Sequence, residues 1–139
     1  MTLEELRVIL VAAAVGTDVS QVVFDYANYL NHGSKTYPLA LWDFNNLEGE
    51  QNVTSGEKVM RVNCWMLNVT TPDADVVDRH KVWDEIEADM QEYMGSLGEQ
   101  DDVTIENIRA MPYEYFPAGL LSLEREMAVR YQVELKLWC

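Results

Sequence analysis

The longest regular pattern in the chain lies at its end. Met127, Val129, Tyr131, Val133, Leu135 and Leu137 alternate with Ala128, Arg130, Gln132, Glu134, Lys136 and Trp138. One apolar face and one mixed face at a period of two predict a half-buried antiparallel strand over 127–139. A second alternation runs over 58–67. It sets Met60, Val62, Cys64 and Met66 against Arg61, Asn63, Trp65 and Leu67. Tyr37-Pro38-Leu39-Ala40-Leu41-Trp42-Asp43-Phe44 reads as a further strand entered through proline, which strands tolerate at their first positions. Residues 45–57 are rich in Asn, Gly, Glu and Ser and predict a long polar loop. The two strands beside it then form a hairpin with an oversized loop.

Helical periods fill the rest. Thr2-Leu3-Glu4-Glu5 is a capping box, in which Thr2 accepts a free backbone N–H and Glu5 reaches back. Leu3, Leu6, Leu10 and Ala13 share one face, so residues 3–14 are predicted helical, with Gly16 as the stop. Over 18–32, Val19, Val22, Val23, Tyr26 and Leu30 have helical spacing, and Gly33 is a stop signal. Val22-Val23-Phe24 also has strand propensity, but a helix is the preferred reading. Thr71-Pro72-Asp73 opens a long helix over about 74–97. Its apolar stripe is Trp83, Ile86, Met90, Tyr93, Met94 and Leu97, and Gly98 ends it. Residues 103–111 read as extended, and Phe116-Pro117-Ala118-Gly119 as a turn.

Helices and an antiparallel sheet in separate blocks predict an α+β fold. The long helix is expected on the face carrying Leu39, Leu41, Met60, Val62, Cys64, Met66 and the apolar residues of the last strand. The chain has 139 residues, 48% of them hydrophobic, which fits one domain spanning 1–139. Cys64 and Cys139 form no disulfide framework and are expected to be reduced thiols in a cytoplasmic product. Residues 1–15 lack the basic start and cleavage site of a signal peptide, and their apolar run is too short for a bilayer.

Charge narrows the partners. The 24 acidic residues outnumber the 10 Lys and Arg, for a formal net charge of -14. A basic groove for nucleic acid is not expected. The acid then serves solubility, or makes a surface that repels or imitates DNA.

No motif points to catalysis, a cofactor or a metal. His80 and Asp84, with Asp73, Asp75 and Asp78 upstream, lack known ligand spacing and read as a solvated acidic helix face. Asp102 with Glu106, or Glu85 with Asp89, lack any sign of an apolar pocket that would raise a pKa. Gly95-Ser96-Leu97-Gly98 ends a helix, the wrong end for anions. Cys64 reads as core packing. The aromatic pattern is more specific. By alternation Trp42, Trp65 and Trp138, joined by Phe44, fall on the sheet face away from the long helix. Arg61, Arg130, Glu134 and Lys136 accompany them. Either the N-terminal helices cover this face or it is a subunit interface, where aromatic residues and Arg are enriched.

The order of elements resembles that of the tail-terminator and head–tail joining proteins of long-tailed bacteriophages. The matching pieces are Thr2-Leu3-Glu4-Glu5-Leu6-Arg7, Tyr37-Pro38-Leu39-Ala40-Leu41, residues 58–67, the helix over 83–97, and the final strand. The resemblance covers most of the chain as a pattern; a helix at 18–32 would depart from it. It implies a non-enzymatic virion protein forming a homohexameric ring, assembled in the host cytoplasm. The ring would cap the tail tube, meet the neck or connector proteins, and let DNA pass without specific binding. Trp42, Phe44, Arg61, Trp65, Arg130, Glu134 and Trp138 are then candidate subunit-interface residues. Glu48, Glu50 and Glu57 are candidates for a lumen or a ring-to-ring contact. A stopper or connector ring protein and an acidic DNA mimic are the competing readings.

Overall fold

The computed structural model describes residues 2–24, 36–51, 57–69, 76–110, 114–115 and 126–137. It is α+β. Helix α1 (Leu3–Ala14) starts at the expected capping box. Thr2 Oγ1 accepts from the Glu5 N–H at 3.1 Å, and the Thr2 N–H donates to Glu5 Oε2 at 3.3 Å. Past its end Gly16 has φ +83°. A side chain is strained at that backbone angle, which is why glycine works as the stop.

Strand β1 (Gln21–Phe24) follows, then β2 (Leu39–Gln51), β3 (Lys58–Val69), helix α2 (Val76–Gly98), β4 (Val103–Ala110), β5 (Glu114–Tyr115) and β6 (Glu126–Leu137). The sheet order is β1-β2-β3-β6-β4, with β5 also on β6. The β1–β2 pairing is parallel and the others are antiparallel. β3 and β6 pair along their whole length, from Lys58 opposite Leu137 to Val69 opposite Glu126. They form the spine of the sheet.

Both helices lie on one face. Leu6, Leu10 and Ala13 of α1 and Ile86, Met90, Tyr93, Met94 and Leu97 of α2 pack with Met60, Val62, Cys64 and Met66. Met127, Val129, Tyr131, Val133, Leu135 and Leu137 complete that core, as the terminal alternation predicts. The other face has its own buried cluster of Leu39, Leu41, Trp65, Leu67 and Ala128, with Val23 and Tyr37 against it. A fully buried Leu of either cluster contributes roughly 1.5–3 kcal/mol by leaving water.

Three expectations are corrected. Residues 21–24 are strand, not helix. Val22 and Phe24 pack toward the helices while Val23 packs on the far face, so β-branched residues serve two layers at a period of two. Residues 25–32 of that predicted helix, and its stop at Gly33, lie outside the described residues. The polar stretch after Phe44 is not a loop through residue 57, because β2 continues to Gln51. Glu48 stands opposite Arg61, Gly49 opposite Met60 and Glu50 opposite Val59. An irregularity between Asp43 and Glu48 takes up the extra residues. Backbone pairing holds this arm although its sequence is polar. Finally, the faces of β2 are reversed. Trp42 packs under the helices with Phe44 against the same core, whereas Leu39 and Leu41 are on the far face. Residues 39–42 are all fully buried, so hydrophobicity cannot reveal which pair points which way.

Candidate contact face and the helix seam

The far face of the sheet changes character along β3 and β6. At the β1 end it is apolar, with Leu39, Leu41, Trp65, Leu67 and Ala128. Trp65 stands opposite Arg130, and the Arg130 guanidinium lies 5.4 Å from the indole centroid. This cation–π contact marks the boundary. Beyond it the strands bring polar residues into register. Asp43 faces Asn63, Asn63 faces Gln132, and Gln132 faces Arg109, a row across four strands. In the next row Arg61 faces Glu134, and Arg61 Nε donates to Glu134 Oε2 at 2.9 Å. The pair keeps 35% and 30% of its side-chain surface exposed. It is therefore worth only about 0.2–1 kcal/mol. Lys136 Nζ meets Glu57 Oε2 at 3.3 Å just beyond.

Of the seven proposed interface residues, Arg61, Trp65, Arg130 and Glu134 come together as two cross-strand pairs on this face. Trp42 and Phe44 do not join them. Trp42 is fully buried under the helices and has no surface for a partner. Trp138 lies outside the described residues. Glu48 and Glu50 belong to β2, not to a loop, and Glu57 lies just before β3, held to Lys136.

No protein-family model matches this chain, and no curated protein matches it. Its chemistry is therefore read from the geometry alone. Among the described residues no group of His, Cys, Asp or Glu is placed to hold a metal ion. The His80 ring instead lies 5.5 Å from Trp83. No helix among the described residues is long and apolar enough to cross a membrane. Cys64 is fully buried, and burial pushes its thiol far above the usual range, so it is held as an inert packing group.

The helix-covered face contains groups that residue spacing did not reveal. Trp42 Nε1–H donates to the Tyr93 hydroxyl at 3.1 Å, and that hydroxyl donates to the Leu10 carbonyl at 2.7 Å. This relay joins β2, α2 and α1 through the core. Its buried polar groups are satisfied by one another. Beside it, the Asp18 N–H donates to Glu92 Oε1 at 2.7 Å, which ties the α1–β1 connection to α2. Asp89, one turn before Tyr93, is only 8% exposed. Burial first, then the charges of Asp18, Glu92 and Glu85, push its carboxyl up to about 6. Of the two carboxylate pairs for which the sequence gives no sign of a pocket, the structure buries one member, Asp89. The available sequence signal was its position four residues before Tyr93, on the border of the apolar stripe.

A groove of about 410 Å³ opens between α2 and β4. Met90, Met94, Tyr131 and Ile108 line it, with Glu87 and Gln91 among the polar groups.

Proposed function

We propose that this protein is a ring-forming structural subunit of the neck of a long-tailed bacteriophage, of the tail-terminator type. One observation carries the reading. The N-terminal helix, the two-armed β2–β3 hairpin, the helix across it and a long last strand paired with the second arm occur in the order that the resemblance implies. The added element is the short β1, which extends the sheet beyond the hairpin. The sheet ends in two unlike strands, β1 and β4. Unlike margins suit head-to-tail contacts, and such contacts close into a ring when the rotation allows. The charged half of the far face, with Arg61, Glu134, Lys136 and Arg109, offers paired charges of both signs, suited to registering one subunit on the next. The net charge of -14 suits a bore through which DNA slides without sticking.

The test is light scattering after size exclusion, followed by negative-stain imaging. Rings with an axial hole and a uniform subunit number support the proposal. A monomer at high concentration, unchanged by added tail tubes, overturns it. A stopper or connector ring would also form rings, and capture by tail tubes rather than by head connectors separates the two. A second reading has one observation in its favour. Asp78, Asp84, Glu85 and Glu92 of α2 are all exposed, as a DNA mimic would require. Monomers whose binding to a DNA-binding enzyme is competed by duplex DNA would favour it.

A further inference from the structure

The seam between α1 and α2 contains a buried carboxylate with no positive partner among the described residues. Asp89 is more than nine-tenths buried, and no hydrogen-bond donor among the described residues reaches it. Among the described residues, the charges that act on it are negative. Glu85 and Glu92 face it from its own helix, and Asp18 from the α1–β1 connection. Neither α1 nor the sheet contributes a charged group to that set. The same seam holds the two links that seat the N-terminal unit on α2, the Asp18–Glu92 hydrogen bond and the Tyr93–Leu10 hydrogen bond.

We infer that Asp89 is a proton-operated clasp that tightens the α1–β1 unit against α2 as the surroundings become mildly acidic. Ionised, Asp89 pushes on both members of the Asp18–Glu92 link. Protonated, it stops pushing and offers an O–H that a neighbouring carboxylate can accept. The sign follows from linkage. The carboxyl holds its proton more firmly folded than unfolded, where Asp titrates near 3.9. Stability from this group is therefore fully present below about 4 and is lost as pH rises through about 6.

The experiment compares thermal unfolding of the wild type, Asp89→Asn and Asp84→Asn from pH 5 to pH 8. Asp84 is an exposed acid of the same helix outside the cluster, so it controls for the loss of one charge. Asp89→Asn is expected to raise the midpoint at pH 8 by roughly 3–8 °C. Its advantage should fade as pH falls through about 6. Amide exchange, corrected for its intrinsic pH dependence, should slow across α1 on acidification in the wild type and not in Asp89→Asn. Parallel wild-type and Asp89→Asn curves, or an equal effect of Asp84→Asn, would overturn the inference. If Asp89→Asn does not fold, Asp18→Asn decides instead. With one like charge gone the transition must move to lower pH, and an unmoved transition sinks the idea.

Discussion

The two faces of this sheet are built from the same strands yet solve different problems. Under the helices, Met60, Val62, Cys64 and Met66 meet Val129, Val133 and Leu135 in a dry layer whose polar relay is closed on itself. On the far face, β3 and β6 pass from Trp65 and Leu67 to the Arg61–Glu134 pair within a few residues. Burial on one side supplies cohesion. Partial burial and opposed charges on the other supply direction, because an ion pair has a sign and a geometry whereas apolar contact has neither.

Substitutions on the two faces should separate these roles. Leu135→Ala, under the helices, should cost about 2–5 kcal/mol in denaturant unfolding. Gln132→Ala on the far face should stay within roughly 0.5 kcal/mol. Equal losses would remove the distinction. Tyr93→Phe deletes one hydroxyl from the relay and leaves the Trp42 N–H and the Leu10 carbonyl without it. A loss of about 1–3 kcal/mol is expected, with α1 amides exchanging faster than those of β6. If α1 and β6 lose protection equally, the relay is not what seats α1. The coupling between Arg61 and Glu134 should also be small. A double-mutant cycle with Arg61→Met and Glu134→Gln should give a coupling of about 0.2–1 kcal/mol in the monomer. If the far face registers subunits, the same substitutions should weaken ring assembly much more than they weaken folding. Intact rings from the double variant would return that face to a scaffold role.

Much of this was legible in the residues, and the failures share a cause. β3 and β6 have one apolar and one mixed face, so their alternation gave both strand and face correctly. The capping box at Thr2 and the stop signals at Gly16 and Gly98 likewise placed the ends of the helices. Residues 39–42 of β2 are buried on both sides, which erases the alternation that assigns faces; Trp42 was therefore put on the wrong one. The second half of β2 failed in the opposite way, because its pairing depends on backbone hydrogen bonds that polar residues make as well as apolar ones. β1 has four residues, too few for a period of two to outweigh helical spacing. In the candidate site, the pairs Arg61–Glu134 and Trp65–Arg130 needed only the knowledge that β3 and β6 are neighbours. The Glu85–Asp89 pair carries no local sign of a pocket because the surroundings of Asp89 are tertiary: burial by the packed elements first, then the charge of Asp18, a residue distant along the chain.

The place of Trp42 has a practical consequence. Its indole is fully buried where α1, α2 and β2 meet, and its N–H is held by Tyr93. With Trp65, Trp83 and Trp138 replaced by phenylalanine, the chain would have a single emitter at the joint between its N-terminal helix and the rest. A red shift of that emission would report the helix leaving while the strands are still paired.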